Sequence, residues 1–208
     1  MARFLDIHPV DPQPRLVAQV GATLREGGVI AYPTDSGYAL GALMGNADAK
    51  ERMRAIRRLD DRHHYTLVVK DFAQLGQLVH IDNAVFRAVK AATPGPYTFI
   101  LPATSEVPRR LLHPKKRTVG IRMPDHPVVR ALVEEVGEPL LTTTLILPGE
   151  TEPMTEGWLV KEELDHQLDL VVEAGDVVAA PTTVVDWTGG EPVVERVGAG
   201  DPSRFERV

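Results

Sequence analysis

The chain has 208 residues, of which 43% are hydrophobic and 25% are charged, and its formal net charge is -6. This composition is typical of a folded globular protein, and the length allows one large domain or two small ones. The chain contains no cysteine, which excludes disulfide bonds and thiolate chemistry. No apolar stretch approaches the length of a membrane span and no signal-peptide block opens the chain, so we expect a cytoplasmic protein.

Charge is distributed unevenly along the chain. Residues 50–70 carry seven Lys or Arg against three acids, and residues 106–122 carry six against Glu106 alone, whereas residues 134–176 carry twelve acids and one lysine. An acidic protein repels polyphosphates, but two basic segments create a local attractive field. Two interpretations stay open: the basic segments are solvated surface arms, or they bind phosphates of nucleotides or nucleic acids.

Helix and strand signals alternate along the chain. Apolar residues at helical spacing predict an amphipathic helix over about 16–24, ended by a glycine pair, and a strand follows over 29–33. Asn46 or Asp48 is the candidate N-cap of a second helix. The later elements are predicted to be strands over 65–69, 97–101, 118–123, 139–146, 169–175, 182–187 and 192–198, with helices around 72–78, 85–89, 127–136 and 158–168 between them.

This alternation, without a break in composition, predicts one α/β domain over residues 1–208, built around a large sheet. The close spacing of the strands over 97–101 and 118–123, together with the β-rich C-terminus, predicts antiparallel pairs. We therefore expect a mixed parallel and antiparallel sheet. Residues 148–157 are polar and acidic, and we expect them to form a surface loop.

Hydroxyl-rich clusters follow several predicted strands. The first is PTDSGY at residues 33–38, in which Pro33 is expected to end strand pairing. Such a cluster is either a tight turn that satisfies its own backbone or a binding loop at a strand end, where open α/β sheets place ligands. Hydroxyl and backbone N–H groups donate hydrogen bonds to phosphate and carboxylate oxygens. The other clusters lie at residues 93–98, 142–144 and 181–183.

Arg122 is the most informative single residue because it lies within an otherwise apolar strand. Arginine is rarely fully buried without a partner, so an arginine in a strand indicates an anion facing it. That anion is either a ligand or an internal acid, Asp35 or Asp186. No GxxxxGK[ST], GxGxxG or GxSxG motif occurs, and the adjacent His63 and His64 have no further ligand at zinc-site spacing, so no metal site is predicted.

Five segments, in this order, resemble the YrdC domain family: GGVIAYPTDSGYALG, TPGPYTFIL, TVGIRMPDHP, EPLLTTTLILPG and PTTVVDWTGGEPVVERVGAG. The resemblance covers about residues 27–200, and its details are most similar to the YciO subgroup. It implies a twisted, mixed sheet flanked by helices that encloses a large concave basic cavity. The best-known members make threonylcarbamoyl-adenylate from L-threonine, bicarbonate and ATP for a tRNA modification, and others were described as binding double-stranded RNA or tRNA.

The resemblance also implies roles for individual residues. It places Thr34, Arg122 and Thr182 in a threonine-like pocket, where Arg122 matches the arginine that holds the amino-acid carboxylate. The nucleotide site is implied to comprise Arg57, Thr118, Thr144 and Arg196. No resident cofactor is implied, because Mg²⁺ would travel with ATP in an enzyme of this family.

Two positions depart from the pattern of the synthases. Synthases carry a Lys-x-Arg pair after the second helix and a Ser-x-Asn in a later strand. Here Arg57 stands for the lysine, but Leu59 and Ile146 take the places of the arginine and the asparagine. The loss of one guanidinium and one amide removes about 2–5 kcal/mol of binding, which corresponds to roughly ten- to several-thousand-fold in rate. We therefore expect weak or lost synthase activity.

Two functional hypotheses follow from these observations. One is an L-threonylcarbamoyladenylate synthase, and the other, favoured by the basic segments, is a module that binds ATP or AMP and RNA, as a monomer or dimer. Aromatic residues make up only 5% of the chain and no stacking motif for single strands occurs, so folded or double-stranded RNA is the expected form. The predicted RNA contacts are Arg109, Arg110, Lys115, Lys116 and Arg117.

Overall fold

A ten-stranded sheet runs through the computed structural model, which describes residues 1–60, 63 and 65–205. The strands are β1 Arg3–Asp6, β2 Ile30–Thr34, β3 Gly37–Leu43, β4 Thr66–Val68, β5 Tyr97–Pro102, β6 Thr118–Arg122, β7 Leu140–Thr144, β8 Leu170–Glu173, β9 Thr183–Asp186 and β10 Val193–Arg196. The helices are α1 Pro14–Arg25, α2 Ala47–Arg57, α3 Phe72–Leu78, α4 Asn83–Ala92, α5 Pro127–Val136 and α6 Gly157–Leu164, with 3₁₀ turns at Arg109–Leu111 and Pro202–Arg204.

The sheet is mixed, as predicted. Its strand order is β1-β8-β2-β3-β7-β4-β6-β5-β9-β10. Parallel pairs join β1 with β8, β8 with β2, β4 with β6, and β5 with β9, and the remaining neighbours are antiparallel. The predicted antiparallel pair of β5 and β6 is confirmed, with Ile100 opposite Gly120. The sequence therefore predicts the fold class correctly, as one α/β domain.

Apolar side chains cover the two faces of the sheet unequally. One face packs against α2, α3, α4 and α6 in a core that includes Met53, Leu75 and Val89. The other face packs against α1 and α5, and this second core reaches only as far as Leu140 of β7 and Val68 of β4. Side chains alternate between faces along a strand. The face that α1 and α5 cover therefore continues, beyond these two residues, into a region that no helix among the described residues covers.

The segment at residues 33–38 is a tight hairpin turn, and the expectation that Pro33 ends the pairing is wrong. Pro33 pairs with Tyr38, and Thr34 pairs with Gly37 at the start of β3. Gly37 has a φ of +95°, a backbone conformation that residues other than glycine rarely adopt. The hydroxyl-rich cluster thus contains the turn that joins two buried strands.

One element of the fold was not predicted from the sequence, and one segment differs from the expectation. β1 is an edge strand of four residues with mostly exposed side chains, so it carries little apolar periodicity. The predicted surface loop at 148–157 is partly buried, because Pro153 and Met154 pack onto the β2–β3 turn and the Met154 carbonyl accepts a hydrogen bond from the Tyr38 N–H.

Of the two candidate caps for α2, Asn46 is the N-cap, and its side chain accepts the Ala49 N–H at 2.9 Å.

Candidate functional site

A cavity of about 400 Å³, which we call the central cavity, lies on the face of the sheet that α1 and α5 leave uncovered. Among the described residues, three arginines and one histidine line it: Arg57, Arg122, Arg196 and His63. Its hydroxyl groups come from Thr66, Thr98, Thr142, Thr143, Thr144 and Thr182. This combination of positive charge and hydroxyl donors suits an anionic ligand with several oxygens.

Strand register explains why these residues meet. Thr66 on β4 lies opposite Gly120 on β6 and opposite Thr142 on β7, and Gly120 in turn lies opposite Ile100 on β5. Residues that pair directly across strands share a face, so these four positions form one row. At Gly120 a Cβ atom would lie 2.8 Å from the Thr66 hydroxyl oxygen, so the missing side chain gives the cavity its depth.

Arg122 is 5% exposed and belongs to an ion pair. Its Nη2 donates to Oδ1 of Asp35 at 2.5 Å, and the second Asp35 oxygen accepts the Asp125 N–H at 2.9 Å. Burial lowers the pKa of the Arg122 guanidinium and the Asp35 charge opposes that change. The internal partner is therefore Asp35 and not Asp186, which pairs instead with Lys116 at 3.3 Å.

One donor of Arg122 is left over. Its Nε is buried and has no hydrogen-bond partner among the described residues. Buried polar groups almost always find a partner, and an unpaired one costs about 1–3 kcal/mol. Because the side chain also lines the central cavity, this N–H is a donor that a ligand oxygen can satisfy.

Arg57 enters the central cavity from the last turn of α2. Its Nη1 donates to the Thr143 hydroxyl at 2.6 Å and its Nε to the Ile146 carbonyl at 3.2 Å. Burial lowers the pKa of the guanidinium. The Nε2 of His63 lies 3.0 Å from the same Thr143 hydroxyl, so Thr143 links the histidine to the arginine. Sequence reasoning treated His63 only as a possible metal ligand and missed this contact, because Thr143 is 80 residues away.

Arg196 approaches from the opposite edge of the central cavity. Its Nε and Nη2 donate to the Thr182 carbonyl at 3.1 and 2.9 Å, and Nη2 also reaches the Thr182 hydroxyl at 3.1 Å. The Thr182 hydroxyl lies 2.8 Å from that of Thr98. Five residues predicted for the site are thus brought to one cavity: Arg57, Arg122, Thr144, Thr182 and Arg196.

Two residues predicted for the site do not line the central cavity. The Thr34 hydroxyl donates to the Gly37 carbonyl at 2.7 Å and accepts the Ser36 N–H at 3.1 Å, so it stabilises its own turn. Thr118 is buried at the start of β6, and its hydroxyl has no hydrogen-bond partner among the described residues. The ligand contacts implied for these two threonines stay predictions.

The predicted RNA-binding stretch divides into two parts. Arg109 and Arg110 line a second cavity of about 330 Å³, which we call the side cavity. The other described residues that line it are Lys50, Arg54, Asp60, His63, Tyr65, Leu111, Leu112, His113 and Pro114. Lys115, Lys116 and Arg117 lie on the exposed turn before β6.

Asp186, the partner of Lys116, has a shifted pKa. Burial raises the pKa of Asp186, but hydrogen bonds from Thr188 and Lys116 outweigh this effect and hold the pKa below its usual value.

Neither a metal-binding cluster nor a membrane-spanning helix is present among the described residues. No group of three or more His, Asp or Glu side chains there is placed to hold a metal ion. His64, considered with His63 in the sequence, lies outside the described residues. No helix in the part of the chain that the structure describes is long and apolar enough to cross a membrane.

The fold and the cavity define a class of α/β proteins with an arginine- and threonine-lined site on a mixed sheet. The Sua5_yciO_yrdC family model, described as "Telomere recombination", matches residues 22–198. The chain is 47% identical to Escherichia coli YciO over 205 residues, which covers 99% of this chain and 100% of that protein. The crystal structure of E. coli YciO matches with a TM-score of 0.96 and covers 99% of this chain and 100% of that one. This chain therefore belongs to the Sua5/YciO/YrdC family.

More distant relatives include synthases. The chain is 34% identical to the threonylcarbamoyl-AMP synthase of Vibrio vulnificus over 157 residues, which covers 74% of this chain and 83% of that enzyme. The crystal structure of P. abyssi Sua5 complexed with L-threonine matches with a TM-score of 0.86 at 25% identity, covering 94% of this chain and 57% of that one. The family and the YciO likeness that the sequence motifs indicated are thus confirmed.

The two positions that depart from the synthase pattern lie in different environments. Ile146 lines the central cavity, so an apolar side chain stands where the resemblance implies an amide. Leu59 is partly buried and packs against the core beside α2. One departure therefore changes the cavity wall itself, and the other withdraws a side chain into the core.

Proposed function

We propose that this protein binds an adenine nucleotide and a small carboxylate such as L-threonine in the central cavity, and folded or double-stranded RNA at its basic surface, with weak or lost synthase activity. The observation that carries the proposal is the buried Nε of Arg122, which has no hydrogen-bond partner among the described residues and belongs to a side chain that lines a cavity together with Arg57 and Arg196. The complex of P. abyssi Sua5 with L-threonine supports an amino acid as one ligand.

The proposed roles follow from the geometry of the arginines. Nε of Arg122 donates to the ligand carboxylate while Asp35 holds the other side of the guanidinium. Arg57 and Arg196 face the phosphates, since each has five N–H donors and uses only part of them in the contacts described above. The threonine hydroxyls orient the ligand, and Mg²⁺ would arrive with ATP.

Calorimetric titration with ATP, AMP and L-threonine tests this function. We expect binding heat and a thermal shift at millimolar nucleotide. Arg196→Gln should weaken nucleotide binding by about tenfold, which corresponds to one lost charged hydrogen bond. Arg87→Gln makes the same change on α4, away from both cavities, and should leave the affinity unchanged. Absence of heat and of a thermal shift with both nucleotides would contradict the proposal.

The second candidate function is the synthase reaction, which the identity to the V. vulnificus enzyme favours. In that reaction an oxygen of carboxylated threonine attacks the α-phosphorus of ATP, the new P–O bond forms, and pyrophosphate leaves. Positioning and charge neutralisation supply most of the rate in such transfers. Incubation with ATP, L-threonine and bicarbonate decides between the candidates. Pyrophosphate release on the order of 1 per second or faster would favour the synthase.

The depth of the central cavity predicts the effect of one small substitution. Gly120→Ala places a methyl group 2.8 Å from the Thr66 hydroxyl oxygen and 3.4 Å from a Thr98 methyl group. We expect weaker nucleotide binding and a loss of about 1–3 kcal/mol in unfolding free energy. The matched control is Gly76→Ala in α3, where a Cβ meets nothing within 4 Å; it should leave affinity unchanged and add about 0.4–1 kcal/mol of stability. Wild-type affinity in Gly120→Ala would place the ligand elsewhere.

The RNA part of the proposal predicts a loss of binding on charge reversal. The clean variant changes Arg109, Lys115 and Arg117 to Glu, because Arg110 donates to the Gly45 carbonyl and Lys116 pairs with Asp186. In a filter-binding assay, we expect this variant to lose its retention of a short RNA duplex. Any binding that remains should depend less steeply on salt concentration. Reversal of Arg87 and Lys90 on α4 is the control. Equal RNA retention by both variants would exclude this surface.

A further inference from the structure

The side cavity lies between α2, the segment before β4 and the 3₁₀ turn after β5. Lys50 and Arg54 enter it from α2, and Arg109 and Arg110 enter it from the turn. Its volume of about 330 Å³ is within the range of small-ligand pockets. The side cavity is thus large enough for a ligand and is lined by cations from two separate elements.

The electrostatic balance of the side cavity is positive. Its four cations face Asp60 in the wall and Glu51 beside it, which lies 3.5 Å from Lys50 and 2.8 Å from Arg54. Counted over the described residues alone, these four cations and two acids leave an excess of two positive charges. Arg109 is exposed, and no ion pair or hydrogen bond of its side chain with another described residue is present. A phosphate group meets an attractive field here.

One residue that lines the side cavity, Tyr65, carries a buried hydroxyl without a hydrogen-bond partner among the described residues. Tyr65 is 5% exposed. Burial raises the pKa of Tyr65 to about 12, so the phenol stays protonated at neutral pH and remains a donor. The Nζ of Lys50 lies 5.4 Å from the centre of the Tyr65 ring, which fixes the cation beside it.

His63 connects the two cavities. It lines both of them, and its Nε2 contacts the Thr143 hydroxyl that Arg57 also binds. Its ring packs edge-on against Tyr65, with 5.3 Å between the ring centroids. A ligand in the central cavity therefore has a neighbouring basic cavity on the other side of one histidine.

We propose that the side cavity is a second phosphate-binding site, and that a phosphorylated ligand extends from the central cavity past His63 into it. The bridging ligand rests on the nucleotide function proposed above, whereas the phosphate site itself does not. Two kinds of ligand carry a phosphate group beyond the first one. In a free nucleotide this second phosphate belongs to the polyphosphate chain, and in an RNA strand it belongs to the backbone.

The test compares probes that reach one cavity or both. Inorganic triphosphate probes phosphate binding without a nucleoside, and a loss of this binding in a side-cavity variant assigns it to the side cavity rather than to Arg57 and Arg196. AMP probes the central cavity, and ATP and the dinucleotide pApA extend beyond the first phosphate. The variant is Lys50→Gln with Arg109→Gln, and Arg87→Gln is the control for charge. Thermal melting first checks that every variant is folded, and calorimetry then measures the affinities.

We expect the paired variant to weaken triphosphate binding at least tenfold and to leave AMP binding unchanged. ATP or pApA should bind the wild type at least tenfold more tightly than AMP, and the paired variant should lose that gain. A gain with ATP alone identifies a polyphosphate chain, and a gain with pApA identifies an RNA backbone. AMP binding without triphosphate binding would overturn the second site and leave the nucleotide function standing. Triphosphate binding without AMP binding would leave the second site standing, overturn the nucleotide function and exclude a bridging ligand.

Discussion

Replacement of Arg122 with alanine is expected to lower the free energy of unfolding by about 3–5 kcal/mol, because it leaves a largely buried carboxylate without its partner. The Asp35 side chain is 12% exposed and loses its contact with the Arg122 Nη2 in this variant. Chemical denaturation measures the change. A loss of stability alone does not reveal whether Arg122 also binds a ligand.

A paired variant separates these two roles of Arg122. Asp35→Asn with Arg122→Gln removes both charges and keeps an oxygen acceptor for the Asp125 N–H. Most of the lost stability should return, because no buried charge is left unpaired. Binding of L-threonine and ATP should remain at least tenfold weaker than in the wild type. If the paired variant binds both ligands normally, Arg122 serves the fold alone.

Leu59→Arg combined with Ile146→Asn is expected to raise threonine- and bicarbonate-dependent pyrophosphate release by roughly ten- to several-thousand-fold. The arginine adds positive charge for the phosphates of ATP, and the asparagine adds a directional amide to a wall that is apolar at Ile146. Either substitution alone should do little, because groups that act together are strongly non-additive.

The control for this gain is Leu59→Met with Ile146→Leu, which preserves apolar character at both positions and should leave the rate unchanged. Two results would contradict the prediction. The wild type could already turn over at a rate on the order of 1 per second. Alternatively, the double variant could fold and bind ATP yet release no pyrophosphate, which would show that the divergence from the synthases involves other residues.

The parts of the fold that follow from local chemistry could be predicted. In β6, Val119 and Ile121 point into the core while Gly120 and Arg122 face the central cavity, and the sequence shows this alternation directly. The short edge strand β1 could not be predicted, because its exposed residues show no apolar pattern.

The parts of the site that depend on distant contacts could not be predicted in the same way. The sequence left a ligand, Asp35 and Asp186 open as the anionic partner of Arg122, because only the folded chain brings residue 35 to residue 122. His63 became visible as a cavity residue only through its contact with Thr143. The resemblance identified the arginines of the cavity, whereas Thr34 lies in its own turn and outside the cavity lining.

A crystal structure of the protein grown with AMP and L-threonine tests the central claim most directly. We predict electron density for the nucleotide in the central cavity, with its phosphate within hydrogen-bond distance of Arg57 or Arg196. The threonine carboxylate should accept a hydrogen bond from Nε of Arg122, the donor that has no partner in the part of the chain that the structure describes. Density for both ligands outside this cavity, or an Arg122 Nε that contacts neither of them, would contradict the claim.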